Sequence, residues 1–192
     1  MSTKSIENIA EEKAPQSQTG RLLGWGIAFV ALIALLVLVG LGLQRTQEGP
    51  ISIGDNVPNI ILTTFDGQEI NTGNLLGKVI VLNFWASWCK PCEQEAADLE
   101  AAWKSYREGG EVVFLGVDYV DTETEARAYL AKFGITYPNG PDLGTRISQA
   151  FRIRGVPETY FIDREGKLVY VQIGPFRSLS QITSIIDPLL TP

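Results

Sequence analysis

Three hydrophobic patterns follow one another along the chain. Leu22–Leu43 reads LLGWGIAFVALIALLVLVGLGL, with no charge and no polar face. As a helix, these roughly 22 residues would span about 33 Å, enough for a bilayer core of about 30 Å. The run exceeds a signal-peptide core of about 7–15 residues, so a retained anchor is expected over a cleaved leader. Beyond it the pattern shortens. NIILTTFDGQEI alternates around Asp66-Gly67 and predicts a hairpin. VIVLNFW (Val79–Trp85) and VVFLGVD (Val112–Asp118) are continuous apolar runs of strand length, expected as buried central strands. TYFID and LVYVQIG predict a second hairpin around Arg164-Glu165-Gly166.

Between these runs the period changes to that of a helix. From Pro91 to Arg107, residues Ala96, Leu99, Ala102, Trp103 and Tyr106 recur at spacings of three and four, and Gly109-Gly110 stops the helix. Thr122–Phe133 predicts a helix capped by Asp121 or Thr122 and ended by Gly134. Thr145–Phe151 predicts a short helix, and Ser178–Leu190 a terminal one with Ser178 as N-cap. The expected fold class is α/β, a mixed central sheet flanked by helices. The expected layout is a disordered cytoplasmic tail over 1–21, a transmembrane helix over 22–43, a tether over 44–55 and an extracytoplasmic domain over 56–192.

Basic residues orient the chain. Lys4, Lys13 and Arg21 precede the apolar run, whereas only Arg45 follows it closely. The positive-inside rule places the N-terminus in the cytoplasm and the domain outside, where disulfide chemistry is permitted.

Composition then removes alternatives. The chain has no histidine, which excludes an imidazole base, a Cys-His pair and His metal ligands. It has two cysteines, too few for a four-ligand Cys/His zinc site. The mild acidic excess, with no basic stripe, gives nucleic-acid binding no support. No metal and no other cofactor is expected.

Both cysteines lie in NFWASWCKPCEQE, where strand gives way to helix. Cys89 falls at the helix start, and Pro91 fits the first turn, where its missing N–H costs nothing. Free N–H groups and the helix dipole there stabilise a thiolate, with Lys90 adding positive potential. The thiolate is the attacking species in disulfide exchange. Cys92 is one turn on, within reach as the resolving thiol. Glu95 shares the face of Cys92 and is a candidate to hold or accept its proton, the alternative being a solvated helix carboxylate. An inert Cys89–Cys92 staple closes so small a loop that it constrains the unfolded chain little.

FWASWCKPC (Phe84–Cys92) followed by GVPETYFID (Gly155–Asp163) resembles the thioredoxin-like fold, and more narrowly the membrane-anchored TlpA/ResA/CcmG (DsbE) type of thiol-disulfide oxidoreductase. The resemblance covers roughly residues 51–190, with an N-terminal hairpin and a central insertion over Asp118 to about Thr145. It implies Cys89 as nucleophile, Cys92 as resolving thiol and a cis Pro157 packed against the pair. Backbone near Val156 would offer a strand edge to substrate. It implies Trp88 as a shield for the disulfide, Glu95 as a kept acidic position, and Glu158 as part of the Pro-Glu-Thr form of the cytochrome-maturation branch. For Glu158 the alternative is a surface charge. The implied activity is reduction of protein disulfides, with apocytochrome c as a candidate substrate and a membrane thiol reductase as electron donor.

Two departures stand out. Thioredoxin has a buried Asp where this chain has Asn83, and the dipeptide between the cysteines is Lys90-Pro91, neither Gly-Pro nor Pro-His. A net oxidant or isomerase and a redox-inert tethered binding domain are the competing readings. A thiol peroxidase would need a PxxxTxxC-like motif, which the sequence lacks.

Overall fold

A computed structural model describes residues 18–46 and 51–191, with side chains described for 25–41 and 51–191. The chain divides into two units, residues 1–48 and 49–192. The first contains one helix, α1, Gln18–Thr46, which runs past the expected 22–43 at both ends. Its described side chains, among them Trp25, Phe29 and Leu36, are exposed apolar groups. Among the described residues no helix is long and apolar enough to cross a membrane. The run Leu22–Leu43 extends beyond the described side chains at both ends. The expected tail falls outside the described residues up to residue 17, and its last residues, from Gln18, are helical.

The second unit is built on a five-stranded sheet. Its strands are β3 (Val79–Trp85), β4 (Val112–Tyr119), β5 (Asn139–Asp142), β6 (Glu158–Ile162) and β7 (Leu168–Ile173), and their spatial order is β5-β4-β3-β6-β7. The β3/β4 and β4/β5 pairs are parallel, whereas β3/β6 and β6/β7 are antiparallel. Every residue of β3 is buried, as its uninterrupted apolar run requires of a central strand covered on both faces. The N-terminal hairpin, β1 (Ile61–Thr63) with β2 (Glu69–Asn71), forms a separate two-stranded sheet turning at Gly67, where φ is 82°.

Helix α2 (Lys90–Tyr106) packs Leu99 and Ala102 on one sheet face with α5 (Leu179–Leu190), whose Ile182 and Ile186 are fully buried. Helix α3 (Glu123–Phe133) has Thr122 as N-cap, its hydroxyl accepting the Glu125 N–H, and ends on Gly134 at φ 63°. The opposite sheet face packs Leu82, Phe84, Leu115, Val117 and Tyr160 against Phe151 of α4 (Arg146–Phe151).

Two expectations need correction. The tether does not extend to residue 55. Ile51 packs against the core, and Gly54 and Val57 donate backbone N–H groups to Leu168 and Gly166, so the packed unit begins before residue 56. Ser178 occupies the N-cap position of α5 without capping, because its hydroxyl meets that of Ser180 instead. Strand β5 reads Asn-Gly-Pro-Asp, a turn by local preference, and is a strand here through its pairing with β4. Pro141 is accommodated because β5 is an edge. Gly140 is required because a Cβ there would collide with the Thr63 carbonyl of the hairpin.

Candidate active site

The redox loop, Ala86–Cys89, leaves β3 at its C-terminal end and delivers Cys89 to the N-cap of α2. Cys89 has extended backbone (φ −84°, ψ 102°), and its Sγ accepts the Cys92 N–H at 3.2 Å. Its own N–H donates to the Ala86 carbonyl at 3.1 Å, closing the turn. Cys89 and Cys92 are joined by a disulfide, with Cα atoms 5.3 Å apart. Both are buried, in a cluster with Trp85, Ala96, Ala126 and Tyr129. The tryptophan in this cluster is Trp85, stacked on Tyr129 with centroids 4.5 Å apart. Trp88 is 56% exposed, and its indole N–H donates to the Val120 carbonyl at 3.2 Å. When the disulfide opens, a sulfur at a helix N-cap that accepts a backbone N–H is favoured as the thiolate.

Lys90 lies out in solvent and pairs with Glu93 at 3.0 Å, and Lys132 approaches the same carboxylate at 3.3 Å. These two cations, Lys90 first, hold the Glu93 carboxyl below its ordinary range. The positive potential expected of Lys90 is therefore shared with a neighbouring carboxylate. Pro91 sits in the first turn of α2, as expected.

Glu95 is not a solvated helix residue. It is 1% exposed and accepts two hydrogen bonds, from Asn83 Nδ2 to Oε1 at 2.9 Å and from the Phe176 N–H to Oε2 at 2.9 Å. Asn83 Nδ2 also donates to Thr159 Oγ1 at 2.9 Å, which ties β3, β6 and α2 together. Burial raises Glu95 to about 7 despite the two donors, which pull the other way. Glu95 and Cys92, three apart on α2 and both buried, place a carboxyl that titrates near neutrality on the face of the resolving cysteine.

The second motif meets the first across the β3/β6 pair, in which Phe84 is the register partner of Glu158. The Val156–Pro157 peptide bond is cis, and Val156 packs against the cysteine cluster. Pro157 is buried, and its carbonyl accepts the Gly174 N–H at 2.9 Å. Glu158 is buried rather than a surface charge. Oε1 accepts the Arg154 N–H and Oε2 accepts the Tyr160 hydroxyl, both at 2.8 Å, so it closes the loop leading into Pro157.

Three residues of the site have no motif to announce them. Asp121 Oδ2 accepts the Ser87 N–H at 2.6 Å, holding the redox loop from the β4–α3 connection. Asp118, 1% exposed, lies at the end of β4 as the register partner of Trp85. The only signal for it was an acid closing an otherwise apolar strand. Phe176 acts through its backbone N–H and has no sequence signal. Among the described residues no group of three or more His, Cys, Asp or Glu side chains could hold a metal ion.

This arrangement has known counterparts. Residues 53–171 match the AhpC/TSA family. A thiol-disulfide oxidoreductase ResA of Bacillus cereus is 31% identical over 148 residues, covering 76% of this chain and 85% of that protein. The solution structure of a putative protein disulfide isomerase from Bacteroides thetaiotaomicron superposes with a TM-score of 0.68 at 29% identity, covering 73% of this chain and 91% of that one. The crystal structure of a thioredoxin-family thiol:disulfide interchange protein from Chlorobium tepidum gives 0.66 at 27%, covering 73% and 99%. The chain belongs to the AhpC/TSA family, as a thioredoxin-like thiol-disulfide oxidoreductase of the ResA type.

Proposed function

We propose that this protein reduces protein disulfides through Cys89 and Cys92. The observation that carries the reading is the Cys89 sulfur at the α2 N-cap accepting the Cys92 N–H. In the reduced protein, the Cys89 thiolate attacks one sulfur of a substrate disulfide. The other substrate sulfur leaves as a thiolate and takes a proton from solvent. Cys92, giving its proton to the Glu95 carboxylate, then attacks Cys89 Sγ and releases the second substrate thiol. Two electrons pass to the substrate, and the Cys89–Cys92 disulfide re-forms. A membrane thiol reductase on the same side would return the pair to the dithiol.

The backbone near Val156 and Pro157 serves as the docking edge, with Trp88 at the exposed rim. The resemblance carries the substrate to apocytochrome c CxxCH disulfides, and Glu158 in its Pro-Glu-Thr setting supports that branch. No cofactor takes part beyond the cysteine pair itself. The uncharged run Leu22–Leu43 and the basic residues before it support a single-pass anchor in the cell membrane, with a cytoplasmic N-terminus and the redox domain outside. Resistance of the membrane-bound chain to alkaline carbonate extraction tests the anchor.

The deciding experiment equilibrates the full chain, in detergent micelles, with thiol redox buffers. A potential near about −270 mV fits a reductant, whereas one near about −120 mV makes the protein a net oxidant. A pair that never equilibrates leaves an inert staple in a binding domain. Cys89→Ser is expected to abolish reduction of insulin disulfides, and retained activity in that variant would remove Cys89 as the nucleophile.

A further inference from the structure

Asp118 is a buried acid that the exchange mechanism does not use. It is the penultimate residue of β4, at the end where the redox loop begins, and neither carboxyl oxygen has a hydrogen-bond partner among the described residues. A buried ionised carboxylate without partners is strongly disfavoured. Asp121 next to it behaves differently. Its Oδ2 accepts the Ser87 N–H at 2.6 Å and its Oδ1 the Thr122 N–H at 2.7 Å, so both of its oxygens are engaged. The two carboxyls interact without meeting hydrogen-bond geometry.

Between them, Val120 has φ 48°, a conformation that a β-branched residue rarely adopts. Its carbonyl accepts the Trp88 indole N–H. The β4–α3 connection thus grips the redox loop twice, through Asp121 on Ser87 and through Val120 on Trp88, directly before Cys89.

We propose that Asp118 and Asp121 form a carboxyl pair that positions the redox loop: while Asp118 is neutral the Asp121 clamp on Ser87 stays closed, and ionisation of Asp118 loosens it and raises the reactivity of Cys89. Asp118 is a positioning residue, because it acts through Asp121 and Ser87. The proposal rests on Cys89 being an exchange-active thiol.

Burial first, and the Asp121 charge second, push Asp118 up to about 8, so the switch falls within reach of ordinary assays. The other titratable groups on the surrounding elements are engaged elsewhere. Glu123 pairs with Arg127 on α3, and Glu125 accepts the Thr122 hydroxyl. Asp142 of β5 accepts from Ser148, Glu95 accepts from Asn83 and Phe176, and Tyr129 is held neutral by burial.

The test follows iodoacetamide alkylation of Cys89 in the reduced full chain from pH 5.5 to 9.5, in wild type and Asp118→Asn. Asn is isosteric with the neutral acid and cannot ionise. The ratio of variant to wild-type rate should be near one at the acid end. It should fall to about one half or less at the alkaline end, because only the wild-type clamp loosens. Titration of Glu95 occurs in both proteins and cancels in the ratio. A ratio that stays flat at any value, or rises, overturns the pairing while leaving the thiol chemistry standing. Failure of Cys89 to alkylate at any pH overturns the thiol reading as well. Should Asp118→Asn not fold, the Ser87 amide resonance of the wild type decides the matter. A titration of that amide in the same pH range supports the clamp, and a flat profile overturns it.

Discussion

Asn83 Nδ2 donates to Glu95 Oε1 at 2.9 Å, joining the central strand to the helix that begins at the cysteines. Thioredoxin's buried Asp would stand at Asn83. Here the strand position supplies a donor, and the titrating carboxyl has moved to the helix. Neutral donor and raised acid therefore work as a unit, and each can be tested through the other.

Asn83→Leu should cost about 2–4 kcal/mol, since two buried acceptors, Glu95 and Thr159, lose their partner. Because the Asn83 hydrogen bond pulls the Glu95 value down, its loss should move Glu95 further above about 7. Carboxyl NMR of Glu95 reads the second effect, and denaturant unfolding the first. A Glu95 value that stays put or falls would contradict the coupling.

Glu95→Gln separates the titration from the packing. The folded value, about 7, lies above the ordinary 4.5, so the fold favours the protonated form. Its stabilising contribution is complete below about 4.5 and is lost as pH rises through about 7. Between pH 4 and pH 8 the unfolding free energy of wild type should therefore fall by about 3 kcal/mol relative to the Gln variant. Parallel stability curves for the two proteins would show that Glu95 does not titrate in this range. The same variant should slow resolution of the mixed disulfide most above neutral pH, where the wild-type carboxylate is ready to accept a proton.

Cys92→Ser should accumulate a mixed disulfide between Cys89 and substrate, because the resolving attack is removed while the N-cap sulfur remains. Non-reducing gels and mass spectrometry read the trapped species. Cys89→Ser should trap far less, because its remaining sulfur lies one turn inside the helix, away from the N-cap position that favours a thiolate.

Gly116→Ala probes the floor of the cysteine cluster. A Cβ there would collide with the Asn139 side chain and come within 2.9 Å of Trp85 Nε1. Those two groups share a 2.8 Å hydrogen bond. The expected cost is about 1–3 kcal/mol, seen as a lower denaturation midpoint. A neutral result would mean that Asn139 can swing away without disturbing Trp85.

Local chemistry is what the sequence determined. The strand-length apolar runs, the helical periods, Pro91 in a first turn, a helix start at Asp121 or Thr122 and its end at Gly134, and the placement of Cys89 at a strand-to-helix junction all depend on residues close in the chain. The pairing of Phe84–Cys92 with Gly155–Asp163 was legible as a resemblance, and the register of Phe84 with Glu158 realises it.

What only the tertiary structure decided depends on partners distant in sequence. Asn-Gly-Pro-Asp is a turn by propensity and becomes β5 because β4 offers it a parallel edge. Glu95 and Glu158 carry no mark of burial in their neighbours. Glu95 is enclosed because a donor 81 residues away, the Phe176 N–H, meets its carboxyl in folded space. Glu158 finds its donors close in sequence, at Arg154 and Tyr160, and is buried by the place of β6 between β3 and β7. Asp118 and Asp121 differ by three positions in sequence, yet among the described residues one has no hydrogen-bond partner and the other holds the redox loop. Burial and hydrogen-bond partnership fix the charge of an acid, and both are properties of the assembled fold.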